Sequence, residues 1–396
     1  MHRITRSNLY LLPFLIFFSF VYFGCPKGKP PAVAPPEPTT CEYPAGNRNF
    51  AWRLDTVAWY PSEVGGVWAF SDSDAWVMGN MQGLNVNGQT DSYVGFHWNG
   101  NSWNEKVDFL DILMKADDVI GDNHIMVAVG YRLYGDTMGG AVSKPAIAEF
   151  DNNTKKWNRS EYDLIGELRS VWTDGNGYFI AVGDNGMVYA KDGYDAEWVY
   201  SKLPSDFNFL KISGVSKKEI YIVGYNNLVT GESYDQVWKY DGELWRKLFD
   251  TQDSTQQVLP ITNEEYVGDV FPLRCNITDS LTLYVIGQDS YRLQAKGQLL
   301  EFSKIDLATL GLPLKQNGRT GVDINAYSPN DVWIFGTRYN FYQWNGTDFQ
   351  KIVIPGLPND DMHFGIQQKM IKTSSGKLFL PTEVSPQVYV VVQGTP

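Results

Sequence analysis

Histidine and cysteine are scarce: the 396-residue chain holds four of the first and three of the second. No HExxH helix, CxxC pair, nucleophile elbow or phosphate-binding glycine loop can be found, so the familiar local signatures of metal, thiol, acyl-transfer and nucleotide chemistry are missing. Positive charge is also short. Charged residues make up only 20% of the chain and the formal net charge is −12. That excludes the basic footprint nucleic acid requires and argues against broad adhesion to anionic lipid. An acidic body of this kind resists self-association, so a monomer is expected.

Aromatic residues and glycine are abundant. There are 13 Trp, 23 Tyr, 21 Phe and 37 Gly, and 43% of the residues are hydrophobic. Such a composition suits many short strands joined by tight turns around a substantial core.

The first segment reads as a targeting signal. Arg3 and Arg6 precede an apolar run from Leu9 to Phe23, which ends in Phe23-Gly24-Cys25. A basic start, an apolar core and a small residue before cysteine resemble a lipoprotein signal peptide over 1–24, with Cys25 lipidated. The run is too short for a comfortable membrane span. A tether is expected over 25–48, because Pro26 to Thr40 has six prolines in 15 residues and such a segment is extended and semi-rigid. Cys41 and Cys275 are then left either to pair in an oxidising compartment or to remain free thiols.

From residue 49 to 396 one pattern recurs. A short apolar strand ends in Gly79, Gly130, Gly183, Gly224, Gly287 and Gly336, with Pro381 in a degenerate last copy, at intervals of 41 to 63 residues. Three residues before each stands Trp76, Val127, Ile180, Tyr221, Tyr284, Trp333 or Leu378. Upstream lies another strand and a polar turn, such as Ser71-Asp72-Ser73-Asp74. Downstream lies a hairpin with Asn-Gly or Asp-Gly, as in Trp98-Asn99-Gly100, Tyr240-Asp241-Gly242 and Trp344-Asn345-Gly346. These dipeptides favour a two-residue turn with positive φ at both positions. Each unit therefore reads as four antiparallel strands, a, b, c and d. The expectation is an all-β, seven-bladed β-propeller. The last copy has only three strands, and the orphan strand at about 50–55, with Trp52, would supply the fourth and close the ring.

Stretches such as GVWAFSDSDAWVMGN with HWNGNSW, and DINAYSPNDVWIFGT with QWNGTDF, resemble bacterial lipoprotein propellers built on DVWxVG and W-[DN]-G-x-x-W repeats. Those are similar to photosystem II assembly-factor propellers and, more remotely, to Asp-box (sialidase-like) propellers. The resemblance implies the fold. It implies no activity: a complete Asp-box is missing, and no arginine cluster or Tyr–Glu pair of a sialidase can be placed.

In such a fold the a–b and c–d turns share one face, and the b–c and d–a loops share the other. The longer segments fall on the second, which is where recognition usually sits on a rigid scaffold. Candidate ligand-binding residues there are Asn80, Tyr131, Arg132, Asp184, Tyr225, Gln288, Arg292, Arg338 and Tyr339. Polar loops around a water-filled channel are the simpler reading of the same residues. His97 reads as a structural imidazole, and Asp72 with Asp74 as a solvated turn in place of a calcium loop. No catalytic residue, metal or cofactor is expected. The expected function is a membrane-anchored, non-catalytic binding or scaffold module of the cell envelope, at the outer membrane and facing either the periplasm or the surface, with a protein or glycan partner. The alternative is a carbohydrate-active hydrolase or lyase with paired carboxylates in the central channel.

Overall fold

The computed structural model describes residues 43–84, 90–108, 113–135, 140–203, 207–227, 233–251, 258–261, 267–275, 280–287, 290–296, 301–312, 323–336, 340–357, 369–385 and 388–396. The expected signal peptide, Cys25, Cys41, Gln288, Arg338 and Tyr339 lie outside these residues, as does most of the expected tether.

The first four strands are β1 (Ala51–Ser71), β2 (Asp74–Leu84), β3 (Thr90–Trp98) and β4 (Trp103–Asp108). Next come β5 (Lys115–Gly121), β6 (Ile125–Gly135), β7 (Ala141–Asp151) and β8 (Lys156–Glu161), then β9 (Leu168–Thr173), β10 (Tyr178–Gly183), β11 (Met187–Asp192) and β12 (Val199–Lys202). They are followed by β13 (Asn208–Ser216), β14 (Glu219–Asn227), β15 (Ser233–Tyr240) and β16 (Trp245–Asp250), and by β17 (Val267–Arg274), β18 (Leu281–Gly287), β19 (Tyr291–Lys296) and β20 (Glu301–Asp306). The last seven are β21 (Asp323–Ser328), β22 (Asp331–Phe335), β23 (Phe341–Trp344), β24 (Phe349–Ile352), β25 (Ile371–Lys372), β26 (Leu378–Ser385) and β27 (Val388–Thr395).

Strands β5 to β24 form five four-stranded antiparallel sheets in simple up-and-down order. The remaining strands form one seven-stranded sheet, β25-β26-β27-β1-β2-β3-β4. The expected blade count of seven is thus corrected: the described strands make six sheets, and so six blades. The physical reason lies in β1. The sequence suggested an orphan strand at about 50–55 and a separate strand a for the first unit. Instead β1 runs unbroken through a register shift between Trp59 and Glu63. Proline is tolerated in a strand at such an irregularity. The first part of β1 pairs with β27, from Ala51 opposite Thr395 to Trp59 opposite Val388. The second part pairs with β2. One continuous strand therefore links both chain ends.

The repeated glycine has a steric cause. Strand a of a blade bulges beside the end of strand b, as the register shifts at Val64/Gly66, Ala116/Asp118 and Phe209/Lys211 show. A Cβ on Gly79, Gly130 or Gly183 would collide with the backbone carbonyl of Glu63, Lys115 or Glu167. Trp76, Val127, Ile180, Tyr221, Tyr284, Trp333 and Leu378 are all buried to 2% exposure or less, which identifies that slot as shared core between neighbouring sheets. The outer aromatics pack as expected: Trp98 on Trp103, Tyr240 on Trp245 and Trp344 on Phe349, with ring centroids 5.0–5.6 Å apart.

The hairpin turns differ from expectation. Only the glycine takes positive φ, at 92°, 99° and 96° for Gly100, Gly242 and Gly346. The preceding side chain bonds forward instead. Asn99 Oδ1 accepts from Asn101 and Ser102 N–H, Asp241 Oδ1 from Glu243 and Leu244, and Asn345 Oδ1 from Thr347 and Asp348, all at 2.9–3.2 Å. These are side-chain-capped turns closing four residues, not two-residue turns.

Candidate functional site: a charged belt and the mouth above it

Strand a of each sheet lines the centre of the ring. Beside the bulge of these strands stand Asp118, Ser170, Lys211 and Asp269, and Asp323 opens β21; Lys369, just before β25, joins them. Each of the next residues is aliphatic and buried: Val119, Val171, Ile212, Val270, Ile324 and Met370. The result is a polar belt inside an apolar sleeve.

The belt is bonded from sheet to sheet. Asp118 Oδ1 accepts from its own neighbour, Val119 N, at 2.8 Å and from Lys369 Nζ at 2.7 Å. Its Oδ2 accepts from Ser170 Oγ at 2.8 Å and Val171 N at 3.0 Å in the next sheet. Ser170 Oγ in turn accepts from Ile212 N at 3.4 Å. Asp269 bonds Val270 N at 2.8 Å and reaches Ile324 N at 3.4 Å. Asp323 bonds Ile324 N at 2.8 Å and Lys211 Nζ at 2.8 Å. Burial opposes the Lys211 ammonium, yet Asp323, Asp269 and Asp118 together hold its pKa above the ordinary lysine value. Burial, followed by the Asp323 charge, pushes Asp269 well above the ordinary carboxylate range, and the two carboxyls are hydrogen-bonded to each other.

This pair bears on the hydrolase reading. Glycoside cleavage needs carboxyls roughly 5–9.5 Å apart, with room for sugar or water between them. Two carboxyls bonded directly to each other, and each bonded to backbone N–H groups, hold the wall together.

A second cluster lies one to three residues earlier in the chain, in β5 and around the start of β9, at the long-loop mouth. Lys115 pairs with Glu63 of β1, and with Asp117 at 3.1 Å. Arg169 contacts Glu167 at 2.9 Å and Asp184 at 3.1 Å. Burial opposes the Lys115 charge, but Asp117 and Glu63 raise its pKa to about 12. Burial pushes Asp117 up to about 6, with Lys115 and Arg169 pulling the other way. Asp117 Oδ2 is buried without a hydrogen-bond partner.

Of the expected site residues, several meet here. Tyr131 stands opposite Lys115 in the β5–β6 register, and burial, then Glu167, raises its pKa. Asn80 stands opposite Glu63. Asp184 holds Arg169 through a bond to Nε, and the next residue, Asn185, donates its N–H to Asn208 Oδ1, opposite Tyr225. Arg132 lies further out on the β6–β7 hairpin, 3.6 Å from Glu161. Arg292 is not at the mouth: it sits in mid-strand, opposite Tyr284. Its place matches that of Lys239, opposite Tyr221, and of Gln343, opposite Trp333, so it belongs to the packing between sheets. His97 accordingly stacks on Trp76 at 4.4 Å and bonds Asp74 at 2.8 Å. Asp72 is spent on Thr373 and Ser375 at 2.6–2.7 Å.

Sequence reasoning missed the belt. A faint signal existed in the dipeptides Asp118-Val119, Asp269-Val270 and Asp323-Ile324: an acid before a β-branched residue in strand a. The mouth residues Lys115, Asp117, Glu167 and Arg169 carried no repeated motif.

Radial antiparallel sheets around a bonded central channel define a β-propeller. No family model and no curated protein matches the chain. Among solved structures it is similar to YCF48 bound to D1 peptide, with 10% identity and a TM-score of 0.57 over 89% of this chain and 97% of that one. It is also similar to YCF48 from Cyanidioschyzon merolae, with 13% identity and a TM-score of 0.53 over 87% of this chain and 99% of that one. At such identities the likeness establishes the propeller fold.

Proposed function

We propose that this chain is a non-catalytic binding or scaffold propeller of the cell envelope, anchored by lipid at Cys25, that recognises a protein partner through the long-loop mouth. The observation that carries this reading is the contrast within each strand a. The belt charges are consumed in bonding sheet to sheet. The mouth charges, Glu63, Lys115, Asp117, Glu167, Arg169 and Asp184, gather from three consecutive groups of strands (β1–β2, β5–β6 and β9–β10) on rigid backbone. Preorganised charges of both signs, beside Tyr131 and Tyr225, suit a polypeptide surface. YCF48 has been seen with a D1 peptide, and that example supports a peptide as the class of ligand a propeller of this shape can hold.

Affinity capture from native envelopes with the tethered protein tests the reading. Wild type should retain a protein that the double variant Tyr131→Ala/Tyr225→Ala loses, at a nearly unchanged thermal midpoint. Equal retention by both, or capture of glycan alone, overturns it. Cys25→Ala should move the protein from the membrane to the soluble fraction.

A further inference from the structure

The belt closes one side of a cavity whose residues the mouth reading does not use. Its volume is about 180 Å³. Its walls come from the belt and from positions further toward the short a–b turns, with none of the mouth charges among them. Four aromatic side chains stand around it: Trp68, Trp172, Phe271 and Tyr327. Two of them have their polar tips already engaged or turned aside. Trp172 Nε1 bonds Gly214 O at 3.1 Å and Tyr327 Oη bonds Met370 O at 3.0 Å. The faces left to the cavity are therefore apolar. Two polar groups are not engaged: Trp68 Nε1 and Asn325 Nδ2 belong to side chains that line the cavity, are buried and have no hydrogen-bond partner.

Charge selects among ligands. Asp118 is paired with Lys369 and Asp323 with Lys211. Two lysines thus stand against three aspartates, and the belt offers little net field to draw an ion of either sign. Size selects again. Apolar cavities of about 150 Å³ in other proteins accept benzene and stay dry without it, whereas ordinary drug-sized sites run from about 300 Å³ upward. We infer that the short-turn end of the channel is a binding cup for a small, uncharged, single-ring molecule or side chain that presents a hydrogen-bond acceptor to Asn325 or Trp68. This site is independent of the proposed partner mouth, which lies on the other side of the belt.

The test uses the whole folded chain and four small probes: acetophenone, which is uncharged and has an acceptor; ethylbenzene, which has none; benzoate; and tetramethylammonium. Binding is followed by indole chemical shifts and by thermal midpoint. Acetophenone should saturate, move the Trp68 and Trp172 indole signals, and bind roughly three- to tenfold more tightly than ethylbenzene, the range one net hydrogen bond gives. Asn325→Leu should reduce that preference and keep ethylbenzene binding, and adding Trp68→Phe should erase it. Ile120→Trp, which places a third indole where Trp68 and Trp172 already have counterparts, should exclude both. If Ile120→Trp fails to fold, the comparison with Asn325→Leu/Trp68→Phe and the shift map still decide. Absence of saturable binding, tighter binding of either ion, or an acetophenone preference that survives Asn325→Leu/Trp68→Phe overturns the inference.

Discussion

The belt and the mouth lie one to three residues apart along the chain and use charge in opposite ways. Asp118, Asp269 and Asp323 are all 5% exposed or less, and each is bonded to its own strand and to another sheet. Glu63, Glu167 and Arg169 keep a fifth or more of their side chains in water. A charge in the belt therefore acts as a structural crosslink, and a charge at the mouth remains available to exchange water for a partner. Position along the strand, and not residue type, decides which role a carboxylate takes.

The strongest way to break this contrast is to delete one acid from each region. Asp323→Ala leaves Lys211 buried without its closest counter-charge and removes an acceptor from Ile324 N–H. We expect a loss of about 3–5 kcal/mol in chemical denaturation. Glu167→Ala at the mouth should cost below about 1 kcal/mol. Equal costs would end the distinction.

Asp117, at the border of the two regions, sharpens the contrast through pH. Its folded pKa, about 6, stands above the unfolded value of 3.8. Between those values the folded protein holds a proton that the unfolded chain has released. Stability from this group is highest below pH 4 and declines as pH rises to about 6, by up to about 2–3 kcal/mol. The difference in stability between wild type and Asp117→Asn, measured from pH 4 to 7, should show that slope. A flat difference would remove Asp117 from its intermediate place.

The smallest effect belongs to Asp74, outside both regions. Burial acts to raise its pKa, but His97 and Lys155 bring it below the ordinary value. A depressed acid contributes stability above its unfolded pKa and loses it as pH falls through the folded one. Asp74→Asn should therefore lower stability slightly near neutrality, and in chemical denaturation from pH 7 to pH 3 its difference from wild type should vanish as pH falls through the folded pKa.

The features legible in the sequence were those with one residue type per role. Glycine ends strand b because only glycine clears the carbonyl of the bulged strand, so the slot recurs and can be counted. The outer aromatics recur because each must cover a hairpin. The belt was hidden because its partners alternate around the ring: an Asp can be matched by a Ser, a Lys or another Asp, and no single letter repeats. The sheet count went astray at β1, where the orphan strand at about 50–55 and strand a of the first unit, counted in two blades, are one continuous strand from Ala51 to Ser71. The hairpin type went astray because Asn99, Asp241 and Asn345 satisfy the turn through their side chains. Arg292 was misplaced because a cation near a repeat glycine was taken for a loop residue, when the register sets it beside Tyr284.

The strand shared between the two chain ends imposes an order in time. Residues from Ala51 to Trp59 are among the first of the propeller to be synthesised, yet their partners, Val388 to Thr395, are the very last. Until that last strand has been made, the opening segment holds an unpaired edge. A product cut short by even ten residues would leave that edge exposed to any passing strand.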